Sequence, residues 1–369
     1  MSQKKLASLF IILSTLLISI LPITNIIIKK HNKTLDMTNL TKEELFTTDH
    51  LESNINYLAY KIFNTSMIKM KTIVGKDGFL FLGNLYASVI DKAQGKYKYD
   101  PKELSIWADK LKKIEKWYAD RGIEFLLVIA PNKSSIYPDK LPSSIIYKKG
   151  KTITDDIVKL AKDKNITMLD LRDRLRKHRD DGMLYFKTDT HWNNLGSSIG
   201  YQATIEFLNK RYNEHYIMPK YTMIQTREGS GDLANFLKIK DMLPKDFEIN
   251  YLFSFEHDTQ ICHGYIDPTD FSLKDCKPTA NRVVNIYAKD QYIINKNATN
   301  HSKLLLVADS FSTANSMPYN ATFSTLWKLH QSRLYGKKLS SFVEKNRPDI
   351  VIYQIVERDL YTQKIVEPL

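Results

Sequence analysis

The chain contains only two cysteines, Cys262 and Cys276, and no CxxC pair in its 369 residues. That excludes the zinc and thioredoxin chemistries that depend on clustered thiols. No internal repeat or low-complexity tract is visible, and no motif for binding nucleic acid, a nucleotide or coenzyme A. Nothing in the sequence suggests a metal or an organic cofactor. Acidic residues are missing altogether before residue 34, where five lysines lie; removing those five from the formal net charge of +13 leaves +8 for the rest. A basic body of that kind suits nucleic acid, anionic lipid or an acidic polysaccharide, or is simply a solvated lysine-rich surface.

Charge is also absent from Leu6 to Ile28, a run of 23 mostly apolar residues closed by Lys4 and Lys5 on one side and by Lys29, Lys30 and Lys33 on the other. A membrane-spanning helix needs about 20 such residues, whereas the apolar part of a cleaved secretory signal is about 7–15. No small-residue cleavage site of the A-x-A kind follows. Residues 1–30 therefore read as an uncleaved signal-anchor, with a cleaved signal as the alternative because Pro22 and Asn25 weaken the distal half. Lysines flank both ends, so the positive-inside rule does not orient the segment. Export would exclude nucleic acid as a partner. It would also favour a disulfide between Cys262 and Cys276, whose loop of about 15 residues contributes roughly 3 kcal/mol in the chain-entropy model.

What the sequence does have is core: 43% hydrophobic and 11% aromatic residues, too much for a disordered chain. After a polar lead-in over 31–72, "VGKDGFLFLGN" (Val74 to Asn84) reads as a hairpin turning at Asp77-Gly78. Leu104, Trp107, Leu111, Ile114 and Trp117 recur at helical spacing between a start at Asp100-Pro101 and a stop at Gly122. "IEFLLVIA", "ITMLDL", "SKLLLVADS" and "DIVIYQIVER" are apolar runs of strand length, alternating with amphipathic helices. This alternation predicts a parallel sheet with helices on both faces. Residues 215–300 break the rhythm and read as a strand-rich insertion into a domain running over 73–369.

In such a sheet function collects at the carboxyl ends of strands. Asn132 and Lys133, Asp309 and Ser310, and Glu357 and Arg358 all fall there. "KLLLVADSFSTAN" delivers Ser310 to a strand-to-helix turn, with the helix expected to start at Ser312 or Thr313. Its backbone amide would then face a developing oxyanion; alternatively Ser310 or Ser312 is only a helix cap. In "YFKTDTHWNNLG", Asp189 and His191 are two apart, and in extended chain they point the same way, so the carboxylate can orient the imidazole. Asn193 or Asn194 can cap the helix that follows, and Trp192 reads as a packing wedge rather than a substrate platform.

Together "TDTHWNNLG", "ADSFS", "GKDGFLFLGN" and "APNKSSIYPDKLP" resemble the SGNH-hydrolase-like proteins of polysaccharide O-acetylation, the alginate O-acetyltransferase family of AlgJ and AlgX type, from about Ile73 onward. The resemblance implies a three-layer α/β/α domain with the motifs in circularly permuted order, acid and base before the nucleophile. It assigns Ser310 as nucleophile, His191 as base and acid, and Asp189 as orienter. Ala308 stands where the family's turn often has Gly. The resemblance further implies an acetyl-enzyme on Ser310, a polysaccharide acceptor, and a membrane-bound O-acyltransferase that supplies the acetyl group. Such a protein would sit on the extracytoplasmic face of the inner membrane, held by its N-terminal helix. A chain of this length leaves no room for the carbohydrate-binding module of the AlgX type and is closer to the AlgJ type. Asn132 is a candidate second oxyanion donor, or simply a turn-forming residue, and Lys133 a candidate substrate contact; Glu357 and Arg358 line the pocket or contact an acidic sugar, or else form a buried ion pair. The same three residues would also serve a polysaccharide acetyl-esterase, and an inactive polysaccharide-binding scaffold is the reading from another class.

Overall fold

In the computed structural model of the chain, residues 3–31, 33–256, 261–279 and 290–369 are described. Helix α1 (Gln3–His31) carries the apolar run. Among the described residues its segment Lys5–His31 alone is long and apolar enough to cross a membrane, by length and composition. It packs on the short α2 (Lys42–Phe46), where the Asn25 amide donates to the carbonyls of Leu45 and Thr47 at 2.7 and 2.9 Å and Lys29 pairs with Glu44. Helix α3 (Asp49–Phe63) leads to a hairpin of β1 (Thr72–Val74) and β2 (Leu80–Leu82), with Thr72 opposite Leu82. Asp77 and Gly78 turn it with φ of 55° and 78°, the left-handed pair that matches strand twist.

From there helices and strands alternate. Helix α4 (Val89–Ala93) precedes α5 (Pro101–Ala119), which starts where the Asp100 carboxylate accepts the Lys102 amide at 2.8 Å. Next come β3 (Glu124–Ala130), α6 (Lys133–Ile136), α7 (Ile153–Asp163) behind a Thr152/Asp155 capping box, β4 (Met168–Asp170), α8 (Arg172–Lys177) and α9 (Asn194–Tyr212). The segment 215–300 supplies β5 (Tyr221–Glu228), α10 (Asp232–Phe236), β6 (Glu248–Phe255), β7 (Ile261–Ile266), β8 (Leu273–Thr279) and β9 (Gln291–Asn295); its residues 257–260 and 280–289 lie outside the described residues. The chain continues through β10 (Asn300–Ala308), α11 (Ser316–Thr322), β11 (Phe323–His330), α12 (Gly336–Asn346) and β12 (Ile350–Val356).

Eight of these strands form one sheet in the order β4-β3-β12-β10-β11-β9-β7-β8. The sheet is α/β but not wholly parallel, which corrects the sequence expectation. Pairings from β4 through β11 are parallel, while β11/β9, β9/β7 and β7/β8 are antiparallel. The physical reason is connection length. A parallel neighbour requires a helical crossover, whereas β7 and β8 are joined by residues 267–272 alone and can only reverse. Cys262 on β7 and Cys276 on β8 form a disulfide, Cα–Cα 5.2 Å. Strands β5 and β6 make a separate two-stranded ribbon.

Successive residues of β3 divide between two cores. Leu126, Val128 and Ala130 pack with α9 residues such as Tyr201, Ile205 and Leu208, while Phe125, Leu127 and Ile129 pack with α5, α7 and α12. This period-2 division across a sheet buried on both faces is what makes three layers. A smaller core joins the β1–β2 hairpin, α4 and α10 through Leu80, Ile90 and Leu233. In the parallel register Ala130 lies beside Val356, and Gln354 beside Ala308. The carboxyl ends of β3, β12 and β10 therefore converge on one edge, and the site lies there.

Candidate functional site

Ser310 follows β10 directly. Its turn is tightened by Asp309, whose buried carboxylate accepts the amides of Phe311 at 3.0 Å and Val356 at 2.6 Å, tying β10 to β12. Burial pushes the Asp309 carboxyl up to about 6, against the pull of the Val356 amide, Arg358 and the Phe311 amide. The turn is not the helix start expected at Ser312 or Thr313. Residues Ser310–Thr313 form one turn of 3-10 helix, and α11 begins only at Ser316. Ser312 is fully buried and donates its hydroxyl to the Asp309 carbonyl at 2.6 Å, so it closes the turn rather than capping a helix. Below it, the buried Lys328 of β11 donates to the Ser312 carbonyl at 2.9 Å. Ala308, fully buried, completes β10.

Asp189 and His191 come from the loop that ends at α9. Asn193 is the cap: its Oδ1 accepts the amides of Leu195 and Gly196 at 3.0 and 3.1 Å. Trp192 is a wedge, 1% exposed, and its indole N–H donates to the Phe311 carbonyl at 2.8 Å, joining the His191 loop to the Ser310 turn. Between them the reactive groups line up. His191 Nδ1 donates to Asp189 Oδ1 at 2.6 Å, and Ser310 Oγ donates to His191 Nε2 at 2.7 Å. Asp189 Oδ1 also accepts the His191 amide at 2.9 Å, and its Oδ2 accepts the Asp232 amide at 2.9 Å. Burial opposes ionisation of Asp189, but the hydrogen bond and charge of His191 and the two amides outweigh it and hold the carboxyl down at about 2. An ionised carboxylate only accepts hydrogen bonds, so Nδ1 carries the imidazole proton and Nε2 has its lone pair facing Ser310. The arrangement can take a proton from the serine and return it.

The loop that presents Asp189 is held from behind by groups that sequence reasoning missed or misplaced. Glu248 accepts the amides of Lys187 at 2.7 Å and Thr188 at 2.6 Å. Asp232 accepts the Thr190 amide at 2.7 Å; burial and the neighbouring Asp189 raise its pKa. Gly231 lies so close that a Cβ there would stand 2.2 Å from the Asp189 Cβ. Lys133, read from sequence as a substrate contact, faces the other way. Its buried ammonium donates to the carbonyls of Phe186, Lys187 and Asp189 at 2.8, 2.9 and 2.6 Å, and burial brings its pKa down to about 8. A glycine-flanked acid such as Gly231-Asp232 is visible in the sequence, but nothing local says which loop it supports.

The other strand-end candidates separate. Glu357 is buried behind the site, accepting the Asn132 amide at 2.9 Å and the Ser135 hydroxyl at 2.6 Å, with Arg172 Nη1 3.6 Å away; it is the buried ion pair, with Arg172 also reaching Asp155 at 2.9 Å and Asp170 at 2.7 Å. Arg358 is the pocket-lining member, its guanidinium 5.4 Å from the Phe311 ring and 3.7 Å from the Asp359 carboxylate. An open cleft of about 290 Å³ is lined by His191, Ser310, Arg358, Asp359, Asp232, Thr190 and the apolar or aromatic Leu82, Tyr86, Ala87 and Phe236. Asn132 does not line it. Asn132 borders a water-sized cavity of about 20 Å³ alongside, shared with Lys133, Ser134, Thr190 and Arg358.

One eight-stranded sheet between two helical layers, with Asp189, His191 and Ser310 at its carboxyl edge, makes an SGNH-hydrolase-like fold. Residues 72–251 match the family described as SGNH hydrolase-like domain, acetyltransferase AlgX. Over those residues the chain is similar to proteins of the AlgJ and AlgX type. It is 24% identical over 198 residues, 51% of this chain and 47% of the relative, to a probable alginate O-acetylase AlgJ of Pseudomonas aeruginosa. The chain thus spans about half the length of the curated relatives it matches. Among solved structures it resembles Bacillus cereus PatB1, with a TM-score of 0.57 at 16% identity over 80% of this chain and 98% of that one. It also resembles the O-acetyltransferase domain of Pseudomonas putida AlgJ, with a TM-score of 0.50 at 16% identity over 79% and 92%. At that identity the structural likeness speaks for the fold.

Proposed function

We propose that the protein is an O-acetyltransferase that carries an acetyl group on Ser310 and passes it to hydroxyls of a cell-surface or extracellular polysaccharide. The observation that carries this reading is the continuous chain of hydrogen bonds from Asp189 through His191 to Ser310, at 2.6 and 2.7 Å, on a fold whose relatives include a probable alginate O-acetylase. His191 Nε2 takes the Ser310 proton as Oγ attacks the acetyl carbonyl, and the imidazolium returns that proton to the departing group. A sugar hydroxyl then attacks the acetyl-enzyme, its proton passing to Nε2 and from there to the released Ser310 oxygen. The Ser310 amide stabilises the oxyanion, aided by the Arg358 charge in the same cleft.

The acetyl donor in this proposal is a membrane-bound O-acyltransferase, since an extracytoplasmic domain has no access to cytosolic coenzyme A esters. Helix α1 anchors the chain to the inner membrane, and residues 73–369 form the working domain, with 215–300 inserted in it. Incubation with an acetyl ester followed by peptide mass spectrometry should find the acetyl adduct on Ser310. Transfer should then depend on added glycan, whereas glycan-independent hydrolysis at full rate would point to an acetyl-esterase. No adduct and no turnover would leave a polysaccharide-binding scaffold.

A further inference from the structure

The cleft that holds Ser310 contains more than the three hydrogen-bonded groups require. Part of its lining is aromatic: the rings of Tyr86 and Phe236 stack with centroids 5.4 Å apart and planes 11° apart. They come from separate elements, the turn after β2 and the end of α10. Ala87 and Ser88, which follow Tyr86, have φ of 53° and 51°. Two successive non-glycine residues rarely adopt that left-handed conformation. Backbone held against its preference in this way clusters at ligand sites, and here it fixes the turn that presents Tyr86.

The polar part of the lining has an unusual balance of charge. Arg358 is its single lysine or arginine, and that guanidinium already lies 3.7 Å from Asp359. Asp232 is a second carboxylate, beside Asp189, with no cation of the lining to match it. Lys133, the buried cation behind the loop, has its N–H groups directed to main-chain carbonyls. Ring faces bordered by carboxylate acceptors suit a ligand with an apolar C–H face and a rim of hydroxyls. A ligand ring bearing its own carboxylate would meet two like charges and one cation already paired.

We propose that this cleft is the acceptor subsite for an uncharged sugar ring, stacked on the Tyr86/Phe236 pair with its hydroxyls donating to Asp232 and Asp359. The inference rests on the acetyltransferase reading, and it narrows the acceptor from any polysaccharide to a neutral one, despite the basic net charge of the chain.

The test is calorimetric titration of the full-length Ser310→Ala protein in detergent micelles, with cellohexaose, chitohexaose and a mannuronate hexamer as probes. At about 0.15 M salt, where distant charges are screened, a neutral hexamer should bind at least about tenfold more tightly than the mannuronate hexamer, about 1.4 kcal/mol. Adding Tyr86→Ala or Phe236→Ala should weaken the neutral hexamer about tenfold, and Phe236→Tyr, which keeps the ring, should restore it. Thermal melts of each variant control for folding. Equal or tighter mannuronate binding, undetectable binding of both neutral hexamers, or affinity unchanged in both alanine variants overturns the proposal. Binding is read without chemistry. Failure of the wild-type protein to form the Ser310 adduct would therefore sink the acetyltransferase reading and leave the binding result standing on its own.

Discussion

At the scale of single residues, the three groups in the hydrogen-bonded chain should behave as one unit. Ser310→Ala, His191→Ala and the double variant are each expected to lose about 10⁴-fold in acetyl-ester turnover, with no further loss on combination; additive losses would refute the linkage. Asp189→Ala should lose less, because the imidazole remains as a poorly oriented base. Lys133 gives a pH signature. Below about pH 8 its ammonium supplies three N–H donors to the carbonyls around Asp189; above it one donor is lost. Activity should therefore fall on the alkaline side near that pH, and Lys133→Met should remove the limb while lowering kcat. Stability moves the other way. The unfolded lysine keeps its proton up to its ordinary 10.5, so between about 8 and 10.5 the unfolded chain binds more protons and this group's contribution to stability rises with pH. Asp189, His191 and Ser310, which the family resemblance picks out together, do meet in one hydrogen-bonded chain, although each short motif taken alone also reads as a loop residue or a cap. Lys133 was placed at the right edge but not in the right direction, since periodicity fixes a strand end and not where a side chain turns beyond it; Glu357 takes the buried-ion-pair reading, with Arg172 rather than Arg358 beside it. Asp232 and Glu248 act on main-chain amides some 40 to 60 positions away along the chain, and no local pattern announces that.

At the scale of elements, the site depends on two contacts between a loop and a helix end. Asn193 caps α9 with two accepted amides and donates its own amide to the carbonyls of Met183 and Ile249 at 2.5 and 3.1 Å. Asn193→Ala is expected to lower stability by about 1–2 kcal/mol in thermal or urea unfolding. The start of α10 lies against Asp189 at Gly231, where added Cβ must displace the acid. Gly231→Ala should lower kcat about hundredfold, as a misplacement of about 1 Å in a catalytic group does; turnover within a factor of two of wild type would show that the loop yields without consequence. The β1–β2 hairpin, α5 and the parallel strands were readable from turn residues and period. The antiparallel edge was not, because strands of 5 to 7 residues with mixed burial give no direction, which only the short connections decide.

At the scale of the whole molecule, the proposed placement outside the cytoplasm predicts that a reporter active only in the cytoplasm, fused after Leu369, stays silent, and that non-reducing peptide mapping recovers Cys262 joined to Cys276. A bright reporter would contradict the anchor topology. The sheet order carries a consequence for synthesis. Strand β12 lies between β3 and β10, hydrogen-bonded to both, yet it is the strand that leaves the ribosome after every other one described. Until residue 356 emerges, β4-β3 and the strands from β10 outward are two half-sheets with unsatisfied inner edges, and the Val356 amide that Asp309 accepts does not exist. High contact order of this kind delays folding until the chain is nearly complete. A nascent chain of this protein therefore stays threadable and inert while it is being made, and Ser310 first meets His191 only after the last strand has emerged.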